Sequence, residues 1–186
     1  LELCSEDDGD LVAIRDHLQG IASDIDELDQ LVEDVLMTTR LDLATSGNQP
    51  AAITLRKQPV HLPTLIDIAQ HRFVQLHPAH ELAIACDAPA DLEMLADETL
   101  LRRVLDNILQ NAAKYSEPNQ PIELVLWQEV ADPAHVYIEI RDRGIGVSEA
   151  DLARLFDPFF RTDRSRSRAA GGTGLGLTLC KRVIEA

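Results

Sequence analysis

Cysteine is scarce in this chain. Cys4, Cys86 and Cys180 are an odd number without metal-type spacing, so they read as reduced, ordinary thiols rather than as a disulfide framework or a metal site. No apolar run approaches the roughly 18 residues of a membrane-spanning helix, and no basic-then-apolar signal pattern opens the sequence. The chain is therefore expected to be soluble and cytosolic. Basic charge is also in short supply: 17 Lys and Arg against 32 Asp and Glu give a net charge of −15. That balance argues against nonspecific nucleic-acid binding, which needs a basic surface. It also means that any polyanionic ligand must be met by local groups. The cationic residues that are present concentrate in RTDRSRSR, where Arg161, Arg164, Arg166 and Arg168 precede a glycine cluster. That position favours an anion-facing loop over a solvated charge run.

What remains is ordinary globular composition. The 186 residues, 45% hydrophobic and 26% charged, suit one medium domain, or a small domain plus an extension, with ample length for a core. Leu11, Ile14, Leu18, Ile21, Ile25, Leu28, Val32 and Val35 alternate spacings of three and four, an a/d heptad seam with Asp, Glu and Gln at outer positions. So narrow a seam needs a partner helix, either one missing upstream or a second copy of the chain. A helix laid on its own domain would carry a wider stripe. The turn-rich ATSGNQPAA, Ala44 to Ala52, then marks a boundary between residues 1–45 and 46–186.

Beyond it, ITLRKQPVHL suggests a strand, and Pro63 the first position of a helix through LIDIAQHRFVQL. His61, His71, His77 and His80 lack metal spacing and read as structural or surface residues. ELAIAC and LEML suggest two short strands, and Asp97 caps a long helix, ETLLRRVLDNILQNAAKY. PIELVLWQEV and HVYIEIRD form an antiparallel pair across the loop ADPA. Ser148 caps a short helix, and LGLTLCKRVIEA is a helix that begins at the glycines. The irregular order of strands and helices argues for an α+β fold: a coiled-coil-type helix, then an α/β sandwich with helices on one face of a mixed sheet.

Three stretches carry chemistry. In LDNILQNAAKYS, Asn107, Asn111 and Lys114 follow at i+4 and i+3, so they leave one face of the helix, while Val104, Leu105, Ile108, Leu109 and Ala112 read as its core side. Asparagine is a poor helix former, and two in register call for compensation from outside the helix. Mg²⁺ with phosphate oxygens would supply it, since an amide oxygen is a hard neutral ligand and a lysine a point charge for phosphate. A solvated polar face is the alternative. In HVYIEIRD, Val136, Ile138, Ile140 and Asp142 share one face, so a carboxylate ends an apolar row. The exocyclic amine of adenine would meet that carboxylate, and Gly144 and Gly146 would let a flat ring approach. A plain turn with Asp142 satisfied by backbone amides is the other reading. Finally, GGTGLGL, Gly171 to Leu177, opens a helix whose free amides suit phosphate, although it is neither a Walker loop nor a dinucleotide fingerprint.

In this order the stretches resemble the ATP-binding domain of bacterial sensor histidine kinases, in the superfamily that includes gyrase, Hsp90 and MutL. LDNILQNAAKYS looks like the asparagine box, DRGIG the first glycine box, LFDPFFR the phenylalanine box and GGTGLGL the second glycine box. The resemblance covers nearly the whole chain, because LVEDVLMTTRLD is similar to the second helix of the family's dimerisation and phosphotransfer domain. It implies a Bergerat-type ATP-binding fold over residues 46–186 and a homodimer through the heptad helix. It further implies that Asn111 ligates Mg²⁺, that Asn107 and Lys114 hold phosphates, and that Tyr115 borders ATP. Asp142 would bind adenine, with Gly144 and Gly146 shaping its pocket. Gly172, Gly174 and Gly176 would hinge the mobile lid across the phosphates, with Thr173 and Leu175 also binding ATP, and Arg161 and the other lid arginines are candidates for γ-phosphate contact. Phe156, Phe159 and Phe160 would pack the lid against the domain.

Two departures stand out. Arg143 replaces the Asn that the family often has, and its side chain is expected to point away from Asp142. The phosphoacceptor box is absent; His17, in RDHLQG, is not that acceptor. The sequence is thus expected to be a fragment of the cytoplasmic part of an inner-membrane sensor, starting downstream of its own substrate histidine and stopping inside its last helix. The implied activity is γ-phosphoryl transfer from Mg·ATP to a histidine and then to the aspartate of a response-regulator receiver domain. The rivals are a non-catalytic nucleotide-binding and dimerisation module, and an ATP-hydrolysing clamp of the gyrase or MutL kind.

Overall fold

In the computed structural model the described residues are 55–129, 131–162 and 172–186, with 31–39 and positions 14, 15, 17, 18, 20, 21, 25, 28 and 29 upstream. Cys4, Leu11, the linker at 44–52, Gly171 and the arginines 164, 166 and 168 lie outside them, as does the boundary between 45 and 46. All the described upstream positions are helical, and residues 31–39 are labelled α1.

The order continues β1 (Gln58–His61), α2 (Leu62–Leu76), β2 (Leu82–Asp87), β3 (Glu93–Ala96), α3 (Glu98–Tyr115), β4 (Ile122–Glu129), β5 (Asp132–Arg141), α4 (Glu149–Leu152) and α5 (Gly176–Glu185). Three of the helix starts, those of α2, α3 and α4, have side-chain caps. Asp97 Oδ1 accepts from Leu100 N at 3.2 Å to open α3, and Ser148 Oγ accepts from Asp151 N at 3.2 Å to open α4. At α2 the cap is His61, whose Nδ1 accepts from Thr64 N at 3.2 Å, and the helix begins at Leu62, one residue before Pro63. His61 is thereby structural, as its sequence context suggested.

The strands form two sheets. β2, β4 and β5 make a mixed sheet in the order β2-β4-β5, parallel then antiparallel, while β1 and β3 pair in a separate antiparallel ribbon. Along β4, Ile122, Leu124 and Leu126 alternate onto one face and are fully buried. Against them lie Leu65, Ile66, Ala69 and Phe73 of α2 and Leu101, Leu105, Leu109 and Ala112 of α3, with Val136, Ile138 and Ile140 of β5 at the margin. The helices therefore cover one face of the larger sheet, as expected. β5 begins at Asp132, so most of the expected ADPA loop belongs to the strand, with a register shift at Gln128/Glu129.

α1 sits against this domain in an unexpected sense. The seam residues Ile14, Leu18, Ile21, Ile25 and Leu28 upstream of it and Val32 within it are each more than half exposed. Its polar side is the one turned inward: Asp34 is 2% exposed and Thr38 9%.

Candidate functional site

α3 packs on α5 and carries the polar stripe into a cavity of about 500 Å³. Asn107, Asn111, Lys114 and Tyr115 form one wall. Asp142 and Gly146 form a second, and Arg161 with Gly172, Thr173, Gly174 and Gly176 crosses a third. Residues chosen from four separate stretches of sequence thus converge on one volume. Two of the expected residues do not line it. Gly144 is tucked behind the wall, and Leu175 is 2% exposed and belongs to the packing beneath α5.

The first glycine turn is fixed by backbone. Ile145 N donates to Tyr115 O at 3.2 Å, and Gly144 N donates to Asp142 Oδ1 at 2.9 Å. A Cβ on Gly144 would stand 2.2 Å from the Tyr115 carbonyl oxygen. Glycine is required here because two backbone segments touch. Asp142 is not buried, contrary to the reading of a carboxylate closing an apolar row: β5 ends at Arg141, and the side chain is open to the cavity. Arg143 does point elsewhere, to Glu123 on β4 at 3.8 Å.

The second turn is fixed by conformation. Gly172 has φ 113 and Gly174 φ 72, and Phe159, at φ 62, donates its N–H to Gly174 O at 3.1 Å. Thr178 Oγ1 donates to Phe156 O at 2.9 Å. The phenylalanine segment therefore holds this loop through its backbone. The side chains of Phe156 and Phe159 are 45% and 63% exposed, and residues 163–171, which they are expected to hold as the lid, lie outside the described ones. Only Phe160 faces the cavity, with the Arg154 guanidinium 4.4 Å from its ring centroid.

Where α5 starts, Gly176 brings its backbone against the Asn107 side chain, 3.6 Å from a Cβ position to Cγ. Asn107 Nδ2 is buried and, among the described residues, no hydrogen-bond acceptor meets it within bonding distance. A buried amide donor without an acceptor is costly, so this nitrogen is suited to an incoming oxygen. Gly176 and Leu177, the first residues of the ten-residue α5, line the cavity, where helix amides and dipole favour anions. Beneath Asn107, burial pushes the Cys180 thiol up to about 11, with the Asn107 amide opposing that shift and the Asp34 charge adding to it. That thiol stays protonated near neutrality and is not a nucleophile.

The apolar wall was not foreseen. Ile108, Ile140, Ile145, Val147 and Leu155 line the cavity, and Ile108, expected on the core side of α3, is only half-buried. The pairing of DRGIG with Val147 was the available signal: apolar residues in a glycine turn have little else to pack on. Asp34, from α1, also lines the cavity. Among the described residues no group of three His, Cys, Asp or Glu could hold a metal ion. A divalent cation here would depend on an amide such as Asn111 together with oxygens of the ligand.

Residues 96–186 match the family described as histidine kinase-, DNA gyrase B-, and HSP90-like ATPase. The chain is 33% identical over 181 residues to the sensor-like histidine kinase SenX3 of Mycobacterium tuberculosis, covering 97% of this chain and 41% of that protein. Among solved structures it is similar to full-length ShkA in complex with AMPPNP, with a TM-score of 0.70 and 30% identity over 91% of this chain and 33% of that one. It is also similar to the mycobacterial sensor histidine kinase MprB, with a TM-score of 0.60 and 29% identity over 69% of this chain and 78% of that one. The chain spans about two fifths of the length of SenX3.

Proposed function

This chain belongs to the two-component sensor histidine kinases, with residues 96–186 as its ATPase-family domain, and from that premise we propose that the cavity holds Mg·ATP for phosphoryl transfer. In the intact protein the γ-phosphoryl group would pass to a histidine and then to a response-regulator aspartate. The observation that carries the reading is the convergence of the α3 stripe, Asp142 and the second glycine turn on one cavity with an apolar wall. The ShkA complex with AMPPNP supports the ligand class.

Each residue then has a task. The apolar wall of Ile108, Ile140 and Ile145 takes the flat base, and the Asp142 carboxylate accepts from its exocyclic amine. Asn107 donates its buried Nδ2 hydrogens to phosphate oxygen, and Lys114 and Arg161 add positive charge. Asn111 offers its amide oxygen to Mg²⁺, which would neutralise phosphate charge when bound. The chain contributes positioning and exclusion of water rather than a covalent step, as phosphoryl transfer requires. The exposed seam of the upstream helix is the surface through which two copies would associate.

The test is calorimetry with ATP, with and without Mg²⁺, on the wild type and Asn111→Ala. Alanine is the better helix former, so the variant should fold at least as stably yet bind ATP far more weakly. Unchanged affinity would remove the metal role. Transfer is tested with γ-labelled ATP: the chain should label a separately supplied helical domain that carries an acceptor histidine, with acid-labile product. Acid-labile label on the chain alone would point first to His17.

A further inference from the structure

Arg103 lies one turn before Asn107 on α3, at the start of the stripe that leads into the cavity. Its guanidinium spans to α1: Nη2 donates to Asp34 Oδ1 at 2.7 Å, and Nη1 to Glu33 Oε2 at 3.0 Å. Asp34 is 2% exposed and lines the same cavity as Asn107 and Asn111. The helix whose apolar seam faces outward thus touches the domain through a buried carboxylate. A carboxylate in such a place needs a partner, and Arg103 provides it.

The arrangement has a consequence for an anionic ligand. Asp34 brings a negative charge to a cavity that would receive polyphosphate, and it also engages the Arg103 cation that could otherwise attract it. Its field reaches across to α5, where it adds to the shift of Cys180. Among the described residues Arg103 Nε is buried without an acceptor, so the contact leaves one donor of the guanidinium unsatisfied.

We propose that Asp34 belongs to the nucleotide site although α1 carries it, and that the Asp34–Arg103–Glu33 contact is a latch whose closed state lowers nucleotide affinity. By linkage, bound nucleotide loosens α1 by the same factor. The latch would make the position of the upstream helix and the occupancy of the cavity two readings of one equilibrium. This rests on the nucleotide reading of the cavity.

The experiment is calorimetry of Mg·ATP with the full chain, as wild type, Asp34→Asn and Glu33→Gln, combined with hydrogen exchange of residues 31–39. Asp34→Asn is isosteric and should bind about five- to tenfold tighter, the low end of typical coupling between sites. Glu33→Gln removes the more exposed partner and should tighten binding in the same direction by less, which keeps the test available if Asp34→Asn folds poorly. In the wild type, Mg·ATP should speed exchange in residues 31–39, and in Asp34→Asn it should not. Equal or weaker binding by both variants, or exchange unaffected by nucleotide, overturns the latch alone. A wild type that binds no nucleotide overturns the latch and the proposed function together.

Discussion

At one end of the cavity the chain turns at Gly144, where backbone leaves no room for a side chain; at the other it turns at Gly172, where φ is strained for a side chain but only the end of Lys114 is near, and at Gly174, which is both strained and crowded by the Phe159–Phe160 backbone. The first turn is closed by contact with the Tyr115 carbonyl and by the Asp142 cap. The second hangs on the bond from Phe159 N to Gly174 O and the tether from Thr178 Oγ1 to Phe156 O. A turn defined by contact has one geometry. A turn defined by φ can exchange that geometry for another at the cost of a few bonds. The first turn, proposed to take the base, is built to be fixed, and the second, proposed to take phosphate, is built to move.

The comparison breaks most visibly at Gly144. Gly144→Ala places a methyl against backbone that cannot yield, and should destabilise the fold by about 3 kcal/mol while abolishing nucleotide binding. Denaturant midpoints read the first and calorimetry the second; a stable, binding variant would mean that the base end also moves. Asp142→Asn comes next. The amide oxygen can still accept from Gly144 N, so the fold should hold, while adenine nucleotides lose at most about 3 kcal/mol of affinity. Equal binding of ATP and GTP to the wild type would show that Asp142 does not read the base.

Gly172→Ala sharpens the other side. Its φ of 113 is unfavourable for alanine, but the nearest atom to the added Cβ is Lys114 Nζ, the end of a flexible chain. The cost should be about 1 kcal/mol, local to the loop, with global stability nearly unchanged. Limited proteolysis with and without Mg·ATP would detect it, and a shift in global midpoint as large as that of Gly144→Ala would erase the distinction.

The smallest effect is that of pH. Burial and the neighbouring His80 hold the His77 imidazole below its ordinary 6.5. The unfolded chain therefore takes up the proton first, so this contribution to stability is present above about pH 6.5 and is lost as pH falls from there through the lower folded-state value. His80 Nε2 lies 3.4 Å from Ser116 O, beside the Tyr115 anchor of the fixed end. Melting temperature should fall modestly from pH 7.5 to 5.5, and His77→Gln should flatten that slope. Equal slopes in the two proteins would remove His77 as the cause.

What could be read in the sequence follows from which signals are local. Asp97 and Ser148 announce helix starts because a cap satisfies amides only three residues away. The stripe of Asn107, Asn111 and Lys114 is fixed by helix geometry alone. The separate β1–β3 ribbon was not legible, since nothing local says which strand a strand will meet. Pro133 made ADPA read as a loop; β5 is an edge strand, where a missing N–H is tolerated. Ile108 reads as core in the sequence because periodicity finds an apolar face without telling packed neighbours from a cavity wall. Asp34 was one acidic outer position among many on a heptad helix, and only tertiary structure distinguishes it.

The parallel pairing of β2 with β4 has a consequence in time. Between those strands the chain must lay down β3 and all of α3, so they cannot zip together as a hairpin does, whereas β4 and β5 can. Closing that long connection costs entropy before any sheet contact repays it. α3 and the β4–β5 hairpin should form early and β2 should join late. The chain then owns its asparagine helix before it owns a cavity, and a ligand has nothing complete to grip on the way to the folded state. Ligand should consequently act as a brake on unfolding, with little influence on how fast the protein folds.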